Sequence, residues 1–290
     1  MHREGWRKAI PEGRDGVQSS VLVGVVVPLL VFGCWKVSVA GTAASGVYER
    51  AILFPLLFSF GLAALAWKVR SATLLGAGAG FLVSMILTQA PVGWTGFDGS
   101  VAARPAFPAL IALTVLTFCA TRYGRANKEE RGVAESRSGR RASQIVANTG
   151  VAALCAAMGW YGGCIAALAE AAADTVSSEV GQAIGGPAWL ITTFRRVPAG
   201  KDGGVSVAGT LAGVAAAGVV VMAGSLHHAL WPHKGVVFAA ACAGLVFDSV
   251  LGATVEEWGW LGNDLVNFSA TLFAAALPWV WVFVRGRIVF

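Results

Sequence analysis

The amino-acid sequence predicts an all-α fold, namely a polytopic bundle of about nine transmembrane helices with its N-terminus in the cytoplasm. Hydrophobic residues make up 56% of the 290 residues and charged residues only 13%, whereas soluble proteins carry about 25% charged residues. The mean hydropathy is +0.66. Apolar segments also recur at about the 20 residues that a membrane-spanning helix needs. Most of this chain is therefore expected to face lipid or other helices.

Nine apolar segments are candidate spans. The first follows a basic, polar stretch, and because further apolar segments come after it, we interpret it as a span and not as a cleaved signal peptide. The fifth and sixth are separated by a glycine-rich junction near residue 160, which predicts a tight helical hairpin. Abundant Gly and Ala would let the helices approach closely. The spans lie near residues 19–40, 51–67, 72–90, 105–122, 143–159, 160–181, 205–226, 235–254 and 264–284.

The positions of Lys and Arg predict the orientation of these spans. With a cytoplasmic N-terminus, most basic residues fall in cytoplasmic segments, as the positive-inside rule requires. The loops at 122–142, 182–204 and 255–263 then share the cytoplasmic side. We expect a protein of the bacterial cytoplasmic (inner) membrane. Residues 1–120 would form an N-terminal membrane segment of about four spans, and residues 121–290 a catalytic membrane domain of about five.

Charge and cysteine content exclude some classes of function. The net charge of +6 is explained by the cytoplasmic loops of a membrane protein, so no nucleic-acid partner is predicted. The cysteines are scattered through apolar segments without zinc-site spacing, which indicates buried small hydrophobic residues. The histidines at 227, 228 and 233 also lack ligand spacing. Neither set predicts a metal centre.

Acidic residues inside the spans predict a functional site. Glu170 and Asp174 are four residues apart in the sixth span, so they share a helical face. Asp248 lies near the end of the eighth span, and Asp264 opens the ninth. A charged residue at the centre of a membrane helix costs about 2.5–3.5 kcal/mol on insertion scales, so such residues are usually functional. Asp174 and Asp248 each begin an Asp-[Ser/Thr]-Val triplet, which is either an internal repeat or a coincidence.

The residue types around these acids favour phosphoryl chemistry. Carboxylates and amide oxygens are hard ligands that suit Mg²⁺. Backbone amides of the glycine-rich loop at 200–204 could bind an oxyanion, with Thr192 and Thr193 as neutral donors nearby. The sequence has no Walker motif and no protein-kinase signature. The cytoplasmic loops supply cationic donors for phosphate: Arg125, Lys128, Arg140, Arg141, Arg195, Arg196 and Lys201.

Simpler interpretations exist for several of these residues. Glu170 could be paired with a neighbouring helix. Three further arginines, Arg122, Arg131 and Arg137, could only mark topology and contact lipid headgroups. The glycine-rich loop could be a plain turn.

Short motifs in one order resemble the transmembrane protein 19 family, which includes the plant phytyl-phosphate kinase of the vitamin E pathway. The resemblance covers about residues 120 to 275, and the first four spans match only in general character. The sequence departs from the family pattern at Val176, often Trp, and at Lys201, often Thr. The clearest motifs are Ala173-Asp174-Thr175-Val176-Ser177-Ser178-Glu179, Phe247-Asp248-Ser249-Val250-Leu251-Gly252 and Gly262-Asn263-Asp264-Leu265-Val266-Asn267.

The resemblance implies a kinase that converts an isoprenoid monophosphate into its diphosphate. CTP, the donor of related prenol and dolichol kinases, is the expected nucleoside triphosphate. The implied catalytic and metal-binding acids are Asp174, Glu179, Asp248 and Asp264. The implied cofactor-binding residues are Arg125, Lys128, Arg140, Arg141, Asn148, Thr192, Thr193, Lys201, Gly203, Gly204, Asn263 and Asn267.

In the mechanism this predicts, Mg²⁺ bridges the donor phosphates and the isoprenoid tail lies between Ala- and Gly-lined helices. The partners would be the isoprenoid phosphate, the nucleotide and membrane lipids, and an oligomer is compatible with the sequence. Other lipid phosphotransferases or phosphatases, a transporter that binds an ion or lipid headgroup, and a structural scaffold remain as alternatives. The acids lie toward one face, which counts against the midplane site typical of transporters.

Overall fold

The computed structural model describes residues 10–45, 48–89, 106–134, 139–226 and 233–284. Within these residues the chain forms ten α-helices, one π-helical turn and three short strands. The helices are α1 (Glu12–Ser45), α2 (Tyr48–Lys68), α3 (Leu74–Gln89), α4 (Ala106–Arg122), α5 (Arg125–Glu130), α6 (Ala142–Ala157), α7 (Tyr161–Ile184), α8 (Val207–Gly224), α9 (Lys234–Leu251) and α10 (Asn263–Val284). The strands are β1 (Ala188–Leu190), β2 (Arg196–Val197) and β3 (Gly204–Val205), and the π-helical turn is Gly252–Glu256.

Each predicted span coincides with a helix in the described part of the chain, and the short α5 was not predicted. By length and composition, α1, α8, α10 and α9 with its π-helical turn could cross a membrane. Shorter apolar helices occupy α2, α3, α4 and α6. The helical membrane class is therefore supported, while the number of crossings and the orientation stay predictions. Several basic residues of the orientation argument, including Arg3, Arg7, Lys8 and Arg137, lie outside the described residues.

Helix α7 is the centre of the bundle. It packs against α4, α6, α8, α9 and α10, and its residues from Tyr161 to Ala173 are buried. The junction with α6 is short, with Gly159 at a φ of 77° that favours glycine. The Tyr161 hydroxyl donates to the carbonyl oxygen of Gly224 at 2.7 Å. The predicted tight hairpin between the fifth and sixth spans is confirmed.

Helices α7 and α8 approach each other closely because α8 presents glycine to α7. A Cβ atom at Gly213 would lie 2.6 Å from the carbonyl oxygen of Ala173. One at Gly209 would lie 2.5 Å from the carbonyl oxygen of Ser177. Both distances are too short for a side chain, so the small residues permit this packing, as the composition predicted.

The connection between α7 and α8 contains a three-stranded antiparallel sheet that the all-α prediction missed. The strand order is β2-β1-β3, with Ala188 opposite Val197 and Trp189 opposite Val205. Strands of two or three residues are too short to produce an alternating sequence pattern. Gly203 has a φ of 68°, and a side chain there would collide with the backbone of Ala253 in the π-helical turn. The sheet is thereby docked onto the end of α9.

The loops predicted to be cytoplasmic meet at one end of the bundle. The Gln18 side-chain amide of α1 donates to the carbonyl oxygen of Trp260 at 2.8 Å, between α9 and α10. The Arg140 amide donates to the carbonyl oxygen of Ser71 at 2.9 Å, and the Thr73 amide donates to that of Arg140 at 3.0 Å. These contacts bring the α1 N-terminus, the α2–α3 junction and the α4–α6 and α9–α10 connections together.

Candidate functional site

A polar cavity of about 290 Å³ lies at this end of the bundle. Its walls come from α6, α7, the α7–α8 connection, α9 with its π-helical turn, and α10. The cavity brings together most of the residues that the sequence singled out: Arg140, Asn148, Asp174, Glu179, Lys201, Gly203, Gly204, Asp248, Asn263 and Asn267.

Asp174 and Asp248 reach this cavity from different helices. On α7, Asp174 shares a face with Ser178 one turn later, and both line the cavity. Asp248 near the end of α9 and Gly252 at the start of the π-helical turn have the same spacing and also line it. The charge of Asp174 acts on Asp248. The two carboxylates therefore converge as the sequence interpretation required.

The surroundings of Asp248 are rich in negative charge. Its acidic neighbours include Asp174, Glu256, Asp202 and Glu170. Its Oδ2 atom is buried without a hydrogen-bond partner among the described residues, a state that costs free energy unless a ligand compensates. The positive charge that acts on Asp174 is Arg140. This donor set fits a bound cation.

The carboxylates do not form a complete protein cage for a metal. Across the described ranges, no group of three or more His, Cys, Asp or Glu side chains could hold a metal ion. Magnesium commonly takes only one or two carboxylates and fills its other positions with water and substrate phosphates. Asp174 and Asp248 match that smaller protein contribution.

Glu170 lies one turn deeper in α7 and does not line the cavity. It is 1% exposed, and its Oε1 atom has no hydrogen-bond partner in the described part of the protein. Gly244 of α9 makes room for it, because a Cβ there would lie 2.5 Å from the Glu170 Cγ atom. The interpretation that Glu170 is paired with a neighbouring helix therefore receives no support from Oε1.

Lys128 and Arg125, two of the predicted cations, do not line the polar cavity and are held in ion pairs. The Lys128 side chain is 1% exposed and its ammonium forms a buried ion pair with Glu179. The same ammonium donates to the carbonyl oxygens of Ala120 and Thr121, at 3.3 and 3.0 Å. Arg125 pairs with Glu129 at 2.9 Å on α5. Lys128 therefore fixes α5 against the end of α7 and shares Glu179 with the cavity wall.

Four further predicted residues lie outside the cavity. The Asp264 carboxylate is buried and accepts a hydrogen bond from the Ser19 hydroxyl at 2.6 Å, which joins α10 to α1. Arg141, Thr192 and Thr193 are exposed and do not line the cavity. Their predicted roles in nucleotide binding stay predictions, as does the metal-binding role of Asp264.

The cavity also contains polar residues that sequence reasoning missed. Gln144 lies one turn before Asn148 on α6, a spacing that could have marked a shared face. Asp202 lies inside the glycine-rich loop, and Glu256 ends the π-helical turn. Such turns often occur at functional sites, but their position is not visible in a hydrophobic pattern.

A bundle of apolar helices that encloses carboxylates and amides at one end is an integral membrane protein with a polar cavity. The comparison with family profiles then identifies the kind of membrane protein. The chain belongs to the family described as integral membrane protein DUF92, whose profile matches residues 57–275. The resemblance to the transmembrane protein 19 family is confirmed.

Similar proteins occur in bacteria, plants and archaea. The uncharacterized membrane protein sll0875 of Synechocystis is 34% identical over 80% of this chain and 93% of its own length. Protein VTE6, chloroplastic, of Arabidopsis thaliana is 32% identical over 56% of this chain and 54% of its own length, so the match spans about half of VTE6. The uncharacterized membrane protein MJ0933 of Methanocaldococcus jannaschii is 33% identical over 56% of this chain and 70% of its length. No solved structure matches the chain.

Proposed function

We propose that this protein is an integral membrane kinase that phosphorylates an isoprenoid monophosphate, such as phytyl or geranylgeranyl monophosphate, to the diphosphate. The observation that carries the proposal is the convergence of Asp174 and Asp248 in a polar cavity at one end of an apolar bundle. The similarity to VTE6 over part of the chain supports it, together with membership of a family that resembles the one including the plant phytyl-phosphate kinase. The expected donor is CTP, and the expected location of the cavity is the cytoplasmic face of a bacterial cytoplasmic membrane.

The reaction needs positioning and neutralisation of charge more than acid–base chemistry. An oxygen of the acceptor phosphate attacks the γ-phosphorus of the nucleotide, the bond to the β-phosphate oxygen breaks, and the nucleoside diphosphate leaves. Because a phosphate monoester is largely ionised at neutral pH, no strong general base is required. Arg140, Lys201, Gly203 and Gly204 line the cavity. The two cationic side chains and the Gly203 amide would hold phosphate oxygens, whereas the Gly204 amide already donates to the carbonyl oxygen of Lys201 at 2.9 Å.

Asp174 and Asp248 would hold Mg²⁺. The buried Oδ2 atom of Asp248, unpartnered within the described residues, fits such a ligand. When bound, the ion neutralises phosphate charge and orients the donor. The amides of Asn263 and Asn267 face the same cavity, where they would bind the nucleotide or hydrated ion.

The test is a transfer assay on the purified full chain in lipid nanodiscs. Radiolabelled CTP or ATP is supplied with Mg²⁺ and geranylgeranyl or phytyl monophosphate, and labelled diphosphate is measured. We expect Asp174→Asn and Asp248→Asn to abolish the product. Asp15→Asn is a matched control, because this acid lies at the same end but does not line the cavity.

Three outcomes would contradict the proposal. Diphosphate formed at the wild-type rate by both cavity variants would show that Asp174 and Asp248 are not catalytic. No diphosphate from any pair of donor and acceptor would remove the kinase. Release of inorganic phosphate from the acceptor without nucleotide would indicate a lipid phosphatase in its place.

A further inference from the structure

Two cavities outside the polar cavity lie among the N-terminal helices. An inner one of about 170 Å³ is lined by residues of α2, α3, α4, α6 and α7. An outer one of about 480 Å³ lies between α2 and α4 at the same end of the bundle as the polar cavity. They share Leu62, Ala66 and Thr114, so together they form one crevice, called here the α2–α4 crevice.

The walls of this crevice suit a hydrocarbon chain. Leu62, Val83, Leu110 and Leu113 line its inner part together with small residues of α3. Leu65 and Phe118 line its outer part and are exposed on the surface of the bundle. In a membrane, a lipid tail could reach the crevice sideways between α2 and α4.

Arg140 connects the α2–α4 crevice to the polar cavity, since it lines both parts of the crevice and the polar cavity. Its backbone is fixed by hydrogen bonds with Ser71 and Thr73. Its charge acts on Asp174. Asn148 and Thr175 also line both the inner crevice and the polar cavity. The boundary between apolar and polar space is therefore formed by three polar residues, Arg140, Asn148 and Thr175.

The outer part of the crevice adds positive charge at this boundary. Arg70, Arg122 and Arg125 line it with Arg140, although Arg122 stacks on the ring of Phe118 at 3.5 Å and Arg125 pairs with Glu129. Apolar walls that end in guanidinium groups complement one chemistry: a long hydrocarbon tail that ends in a phosphate.

We propose that the α2–α4 crevice binds the tail of an isoprenoid monophosphate, with Arg140 holding its phosphate where the crevice meets the polar cavity. The inference rests on the proposed function and assigns its acceptor subsite to α2, α3 and α4, which lie mostly within the residues 57–275 that the family profile matches. The donor nucleotide would enter from the opposite side, over the sheet and the π-helical turn. The acceptor phosphate at Arg140 would then lie beside Asp174.

A pair of glycines on α3 allows a matched test. Gly80 lines the inner crevice, and a Cβ atom added to it meets nothing within 4 Å, so a larger side chain can start from this position without a clash at Cβ. Gly78 is on the same helix with the same open space, but it does not line the crevice. Gly80→Leu and Gly78→Leu therefore add the same side chain to one helix, at a position that lines the crevice and at an exposed position that does not.

The measurement is the dissociation constant of geranylgeranyl monophosphate for the full chain in nanodiscs, without nucleotide. We expect Gly80→Leu to weaken binding about tenfold or more, because a few misplaced carbon atoms in a binding pocket change affinity by this amount. Gly78→Leu should bind like the wild type, and both variants should keep its melting temperature. Dimethylallyl monophosphate, too short to fill the crevice, should bind all three proteins equally.

Unchanged binding of geranylgeranyl monophosphate by Gly80→Leu would overturn the proposal. Equal competition by phosphatidic acid would also overturn it, since the crevice would then hold any phospholipid. The two proposals can be separated. Binding that depends on Gly80 without phosphoryl transfer would support the crevice as a binding site and contradict the kinase activity. Phosphoryl transfer that is unchanged by Gly80→Leu would support the kinase activity and contradict the crevice as the acceptor site.

Discussion

Helices α1 and α7 show two opposite ways in which this chain places a long helix. Helix α1 has 34 residues and exposes large apolar side chains along its length, for example Val17, Phe32 and Trp35. Helix α7 has 24 residues and is buried almost throughout, with Ile165 and Leu168 fully enclosed. Of these two helices, α1 alone has both the length and the hydropathy of a candidate membrane span.

The contrast teaches where a membrane protein can place carboxylates. A helix that faces lipid must be apolar because nothing there can solvate a charge. A helix surrounded by other helices can carry Glu170, Asp174 and Glu179, because its neighbours supply space, polar groups and a cavity. The contrast can be tested at the α7–α8 contact, at the ion pairs around α5 and α7, and on the lipid-facing side of α1.

The largest effect is expected where α8 packs on α7. Gly213→Leu would force a side chain into the backbone of α7, since even a Cβ atom would lie 2.6 Å from the Ala173 carbonyl oxygen. We expect no folded protein after detergent extraction, measured by size-exclusion chromatography. Gly24→Leu on α1 is the matched control, because a Cβ there meets nothing within 4 Å. A monodisperse Gly213→Leu protein would show that the α7–α8 contact tolerates separation.

A smaller effect is expected at the buried ion pair beside the end of α7. Lys128→Met leaves the Glu179 carboxylate without its cation in a buried position, and such a loss costs about 3–5 kcal/mol. The double variant Lys128→Met/Glu179→Met should recover much of the stability, because no buried charge remains. The free energy of unfolding in a detergent titration measures both. Equal destabilisation by the single and double variants would contradict this account.

The exposed pair on α5 is the control for that experiment. Arg125 and Glu129 form an i,i+4 ion pair on partly exposed side chains, and pairs of this kind contribute about 0.3–0.5 kcal/mol. Arg125→Met should therefore change the unfolding free energy little. A loss as large as that of Lys128→Met would mean that α5 is held by its surface charges.

An acidic residue on the exposed face of α1 should make membrane insertion of this helix less favourable, because no neighbouring helix in the described part of the chain accommodates the charge there. Val25 is an exposed apolar residue of this helix, and Val25→Asp should raise the apparent insertion free energy of the first span by about 2.5–3.5 kcal/mol. Glycosylation mapping of the first span in microsomes measures this, with Val25→Ala as the uncharged control. Normal insertion of Val25→Asp would show that this face of α1 is covered by protein.

The sequence predicted the helices well because their signals are local. Runs of apolar residues bounded by charge mark spans, and each run coincides with a helix. The convergence of Asp174 and Asp248 was also predictable, because both lie near the ends of spans that point to the same side. In each case, position along a helix determines position in the bundle.

The sequence could not show contacts between distant segments. Nothing local indicates that Lys128 is buried against Glu179, 51 residues away, so a basic residue in a loop was interpreted as a phosphate ligand. The sheet escaped prediction because its strands are two or three residues long. The α2–α4 crevice arises from five helices and has no motif of its own.

A small effect on stability is also expected at Lys201, whose ammonium forms an ion pair with Glu257. The Lys201 side chain is partly exposed and the Glu257 side chain is exposed. Lys201→Met and Glu257→Gln should each change the unfolding free energy by less than about 1 kcal/mol. Only Lys201 lines the polar cavity, so in the proposed kinase only Lys201→Met should slow transfer, by about a hundredfold, the usual loss when a donor to the transition state is removed. Initial rates at saturating nucleotide separate the two variants. If both were equally slow, the ion pair would position the sheet and Lys201 would make no contact with phosphate.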